Sequence, residues 1–141
     1  MITAVDTSVI LDVLIDDPDF GCLAETALRK AGTEGKLTVC ACVLAEIYPT
    51  LGDRRILEEF LADWQLQFSA MDVESAVLAG EYLSEYLSRG GKAHRVVPDF
   101  LIGAHAAATA DRLLARNRGY LRDYFESLEV WDPTEPQPRG S

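Results

Sequence analysis

Short apolar runs alternate along this chain with segments whose apolar residues recur every three or four positions. The runs ITAV (2–5), LTVCAC (37–42), LQFSA (66–70), RLLA (112–115) and LEVW (128–131) read as strands. Helical spacing fills the gaps. A first helix opens with Thr7 or Ser8 as N-cap, a second covers Leu23 to Ala31 and stops at Gly32, and VLAEIYPTL (43–51) is a third that Pro49 should kink or end. DRRILEEFLADW (53–64) and VESAVLAGEYLSEYLS (73–88) follow, the latter stopped by Gly90 and Gly91. A helix beginning near Asp99 and a short one near Tyr120 to Tyr124 complete the series.

Strands separated by helices imply βαβ units. The expected fold is therefore α/β, a three-layer arrangement with a mostly parallel central sheet of about five strands flanked by helices. In such sheets functional sites form at the carboxyl ends of the strands. The 141 residues suit one domain, expected over 1–133, with 134–141 as a linker-like tail. The opening MITAVDTSVILDV has no basic segment and carries acids at 6 and 12, so it reads as neither signal peptide nor membrane span, and a cytoplasmic protein is expected.

Composition changes the picture in two places. Cys22, Cys40 and Cys42 are an odd number, and on a strand the last two would point to opposite faces. Buried reduced thiols are expected, and zinc is disfavoured because His94 and His105, the chain's two histidines, are remote in sequence. The net charge of −10 argues against general affinity for nucleic acid, yet Arg89 to Arg122 holds seven basic residues and two acids. That stretch is locally +5. Arg95, Arg112, Arg116, Arg118 and Arg122 are candidate phosphate contacts within it, against the simpler reading of a solvated face.

Most acids have ordinary surface explanations: Asp12 shares a helix stripe with Ser8 and Asp16, and Glu58 and Glu59 follow Arg54 and Arg55 by four residues. Three acids differ. Asp6 ends the first strand, where a capping turn is the competing reading. Glu46 has Cys42, Val43, Pro49 and Thr50 as its helical neighbours, so it lies on no charged stripe and is expected to be partly buried. Asp99 opens a helix whose next eleven residues carry no formal charge. Three carboxylates converging at one sheet edge would repel unless a cation neutralised them, and oxygen donors suit a hard ion, Mg²⁺ or Mn²⁺.

With these residues in view the chain resembles the PIN-domain family, and more closely the VapC-type toxins of bacterial toxin–antitoxin pairs. The matching pieces are VDTSVI (5–10), LAEI (44–47), PDFLIGAHAAATADRLLARNRGYLRDYF (98–125) and LEVWDP (128–133). The resemblance implies Mg²⁺- or Mn²⁺-dependent endoribonuclease chemistry with Asp6, Glu46 and Asp99 as metal ligands and Ser8 supporting them by hydrogen bonding. It also implies an RNA substrate, a VapB-type antitoxin and a homodimer. Where the family often has a fourth acid, this chain has Asn117, whose amide oxygen can reach a metal or its water but brings no charge. Haloacid-dehalogenase-type phosphatases and phosphorylation receiver domains fit less well. The former needs a second acid where Ser8 stands, and the latter needs paired acids near the first strand end. A catalytically weakened PIN domain that binds RNA or an antitoxin is the stronger competitor, because of Asn117. Histidine catalysis is not expected, since His105 lies about 120° around its helix from Asp99.

Overall fold

The structure, a computed structural model, describes residues 1–91, 97–116 and 119–135, with 119 and 120 as backbone alone. Five strands form one sheet: β1 (Ile2–Val5), β2 (Lys36–Val39), β3 (Leu66–Phe68), β4 (Arg112–Leu114) and β5 (Glu129–Trp131). Their order is β3-β2-β1-β4-β5 and every neighbouring pair is parallel. The chain thus builds outward from β1 through β2 to β3, then crosses back to lay β4 and β5 on the other side. Strand order reverses between β1 and β4, and the crevice outside their carboxyl ends is the position where open α/β sheets hold ligands. The expected α/β architecture is the one found.

Among the described residues, seven helices accompany the strands: α1 (Thr7–Leu14), α2 (Gly21–Glu34), α3 (Ala41–Leu51), α4 (Arg54–Trp64), α5 (Val73–Ser88), α6 (Val97–Thr109) and α7 (Gly119–Tyr124). Their starts follow local chemistry. Asp53 caps α4 by accepting from the amides of Arg55 and Ile56, and Asp72 caps α5 by accepting from Ser75. The N-cap of α1 is Asp6, ahead of the expected Thr7 or Ser8, because its carboxylate already accepts from the Ser8 amide.

Three element boundaries depart from the sequence reading. Helix α2 runs through Gly32 and ends at Gly35, where an added Cβ would lie 1.8 Å from the Met1 carbonyl oxygen. Only glycine fits that approach. Strand β2 stops at Val39, and Cys40 becomes the N-cap of α3. Cys40 and Cys42 therefore share the first turn of a helix instead of opposite strand faces. Helix α3 carries Pro49 in its last turn and closes at Gly52 in the left-handed conformation, with Gly52 donating to the Tyr48 carbonyl at 2.7 Å. Pro49 is tolerated because the carbonyl it leaves unpaired is on an exposed side of the helix. Of the thiols, Cys40 is buried, Cys42 half-buried and Cys22 exposed, which corrects the expectation for Cys22.

The core fills both faces of the sheet. Val9, Ile10, Leu28, Val43 and Ile47 come from α1 to α3, while Phe100, Ile102, Ala104 and Ala106 come from α6. Helix α6 packs on α5 and also touches α3, β1, β4 and α7, so it is the central helix its apolar sequence suggests. Its Gly103 admits the ring of Phe125, which a Cβ there would approach to 2.5 Å. Buried His105 lies against the Ser69 backbone and within 3.5 Å of the Thr109 hydroxyl, and burial pushes its pKa below the ordinary imidazole value. A packed, hydrogen-bonded histidine is what the sequence predicts.

Candidate acidic site at the sheet edge

The site starts from how β1 ends. Asp6 keeps an extended backbone, and its amide donates to the Leu114 carbonyl at 2.9 Å, prolonging the β1–β4 ladder by one bond. Helix α1 begins immediately afterwards. The Asp6 carboxylate, 1% exposed, turns toward that helix, and its Oδ2 accepts from the Ser8 amide at 3.0 Å and the Ser8 hydroxyl at 2.5 Å. One carboxylate oxygen is thereby fixed in orientation. Capping and placement at the switch-point crevice are the same geometric event, so the two readings of Asp6 are not exclusive.

Thr7, between them, has a different partner. Its hydroxyl donates to Glu46 Oε1 at 2.7 Å, linking the β1–α1 turn to the middle of α3. Glu46 itself is exposed, which corrects the expectation that it would be partly buried. The apolar neighbours used for that inference do not enclose it, since Pro49 and Thr50 are also exposed. Asp99 stands in the first turn of α6 and is 6% exposed. Helix α6 packs against both β1 and α3, so the three acids come from, or directly follow, elements that touch one another.

The donors are all oxygen, of the kind that suits a hard divalent ion. Two of them are already oriented by hydroxyl groups, as ligand carboxylates commonly are. Among the described residues, however, no three His, Cys, Asp or Glu side chains gather closely enough to form a metal cage. The thiols add no soft alternative. Burial pushes Cys40 and Cys42 above the ordinary thiol value, and the charges of Asp6 and Glu46 respectively raise them further.

The basic residues are arranged differently from the sequence reading. Arg112 is 0% exposed: its Nε donates to Thr3 Oγ1 at 2.9 Å, its Nη2 to Glu34 Oε1 at 2.7 Å, and its guanidinium lies 4.7 Å from the Trp131 ring centroid. It opens β4, at the end of the sheet away from Asp6. It is therefore a core clamp and cannot reach phosphate. Arg122 is held by Glu135 at 3.0 Å and by the Val130 carbonyl at 3.3 Å. Both side chains of that ion pair are more than a third exposed, so the pairing is weak and Arg122 keeps its place among the phosphate candidates. Arg95, Arg118 and Asn117 lie outside the described residues.

Arg116 has the most specific surroundings. Its amide donates to Ser8 Oγ at 3.2 Å, its Nε is 2.8 Å from Asp12 Oδ2, and its guanidinium carbon is 4.5 Å from the Phe20 ring centroid. Asp12 is thus no surface acid, as its position on the Ser8–Asp16 stripe suggested, but 2% exposed. Burial raises its pKa and Arg116 opposes that rise. The available signal was its spacing: Asp12 is one turn beyond Ser8 and therefore on the same face of α1 as the site.

Known proteins agree with this architecture. Residues 3–125 match the family model described as PIN domain. Among solved structures, VapBC2 from Rickettsia felis, bound to a DNA fragment from their promoter, matches at TM-score 0.69 and 20% identity over 94% of this chain and 98% of that chain. VapBC-1 from nontypeable Haemophilus influenzae matches at TM-score 0.69 and 18% identity, covering 96% of this chain and 100% of that one. FitAcB from Neisseria gonorrhoeae matches at TM-score 0.64 and 18% identity over 94% of this chain and 98% of that one. Comparison with curated proteins gave no match. At these identities the solved structures speak for the fold, and the family match covers most of the sequence. The parallel sheet with its reversal at β1–β4, the buried Asp6 at that reversal and the match over residues 3–125 together make this chain a member of the PIN-domain family.

Proposed function

We propose that the chain is a Mg²⁺- or Mn²⁺-dependent endoribonuclease, the toxin of a VapBC-type pair. Asp6, Glu46 and Asp99 would hold the ion, with the Asn117 amide as a neutral addition. The observation that carries the reading is the buried Asp6 carboxylate, fixed by Ser8 at the switch point of a PIN fold. A bound divalent ion in such a site polarises the phosphodiester, activates water and stabilises the leaving oxygen. The residues' own part is to orient: Ser8 sets the Asp6 carboxylate and Thr7 sets that of Glu46. A VapB-type antitoxin, a homodimer and a cytoplasmic location belong to the same proposal. It is supported by the VapBC names of the solved neighbours. No helix among the described residues is long and apolar enough to cross a membrane.

The competing reading is a catalytically weakened PIN domain that binds RNA or antitoxin. Asn117 in place of an acid favours it, as does the lack of a three-acid cluster among the described residues. Purified protein incubated with RNA separates the two. Cleavage with Mn²⁺ that stops with chelator and is lost in Asp6→Asn supports the nuclease. RNA binding without cleavage under every condition supports the binding module.

A further inference from the structure

Arg116 meets helix α1 at two points one helical turn apart. Its main-chain N–H donates to the Ser8 hydroxyl at 3.2 Å, and its side chain forms an ion pair with Asp12 at 2.8 Å. Ser8 has one hydroxyl proton, which it donates to Asp6 Oδ2. The Arg116 amide occupies the accepting side of the same oxygen, so the hydroxyl is fixed from both directions. The guanidinium is further fixed by the Phe20 ring, 4.5 Å away, which ties it to the loop before α2. The Asp12 side chain is 3% exposed, and pulling Arg116 away would leave that carboxylate buried and uncompensated. The pair is therefore a poor phosphate contact and a good anchor.

We propose that Arg116 is a positioning residue of the acidic site. Anchored on Asp12 and Phe20, it delivers its main-chain N–H to Ser8 and so sets the rotamer of the Asp6 carboxylate. Arg116 acts through its backbone, and Asp12 acts through Arg116. The functional meaning of the device rests on the proposal that Asp6 binds a divalent ion, but its geometry does not.

The test uses the full chain carrying Asp12→Asn, Arg116→Gln, both together, or Arg116→Lys. In metal-free protein, hydrogen exchange of the residue 116 amide reads the anchor directly. Asp12→Asn should accelerate it about tenfold. Mn²⁺ affinity by calorimetry should fall about 10- to 100-fold in Asp12→Asn and in Arg116→Gln, and no further in the double variant. With RNA, kcat should fall while KM and the salt dependence of binding stay unchanged. Arg116→Lys keeps a cation opposite Asp12 and so covers the case in which a neutral variant does not fold. A positioning role predicts weakened Mn²⁺ binding even there, because Lys has no planar group to stack on Phe20. Unaltered amide exchange in Asp12→Asn would overturn the proposal. So would wild-type Mn²⁺ affinity in Arg116→Lys, or a salt slope lowered by about one in Arg116→Gln, the mark of a lost phosphate contact. Should the wild type neither bind Mn²⁺ nor cut RNA, the nuclease reading fails, and the amide exchange still decides the anchor.

Discussion

The Thr7 hydroxyl stands 2.7 Å from Glu46 Oε1, while the next residue, Ser8, holds Asp6. Two adjacent hydroxyls in one turn thus orient two carboxylates from different elements. Thr7→Val removes the Glu46 tie at nearly constant volume. We expect cleavage to fall about tenfold, as for other residues that orient ligands, with unfolding free energy changed by about 1 kcal/mol. Wild-type cleavage by a folded Thr7→Val protein would show that the contact does not set Glu46 for chemistry.

Asp6→Asn, Glu46→Gln and Asp99→Asn each remove a charge with little change in volume. Each should nearly abolish metal-dependent cleavage, and the pairwise double variants should be no worse than the singles, because the three serve one centre. Cleavage rates and far-ultraviolet circular dichroism of each purified variant check this. A folded variant with full activity removes its residue from the site.

Arg112 predicts the opposite pattern. Arg112→Met should lower unfolding free energy by about 3 kcal/mol, at the lower end for a broken buried pair because Glu34 is partly exposed. The salt slope of RNA binding should not move. Urea denaturation and binding titrations at several salt concentrations measure both.

His105 predicts a pH dependence. Burial lowers its folded-state pKa, and the Ser69 backbone contact only partly opposes this. The unfolded chain binds a proton near the ordinary value of about 6.5, and the folded chain resists it. The imidazole's contribution to stability is therefore fully present above that value and is lost as pH falls below it. Between pH 7 and 5 the urea midpoint of the wild type should drop more steeply than that of His105→Gln. Parallel curves would contradict this.

Much of the architecture is legible in the sequence because parallel sheets impose a simple rhythm: ITAV and RLLA are buried on both faces and read as strands without help. Asp6 is legible for the same reason, as an acid placed where an apolar strand stops. Boundaries set by a single contact are not. Helix α2 passes Gly32 because Gly35 is what meets Met1, a contact between distant residues. The Asp12–Arg116 anchor is hidden more deeply. Ser8 and Arg116 are 108 positions apart and meet only because β4 lies beside β1. Arg112 and Arg116 sit in the same basic stretch, yet one is buried against Trp131 and the other folds back on α1. Charge density alone cannot distinguish a clamp from a contact.

The central claim, that the acidic site at the β1–β4 edge cuts RNA, is tested most directly by mapping new RNA ends in cells after brief induction of the chain, with Asp6→Ala as the control. The account predicts new ends concentrated at a limited set of positions with the wild type and absent with Asp6→Ala. Identical end maps for the two proteins, at equal expression, would contradict it.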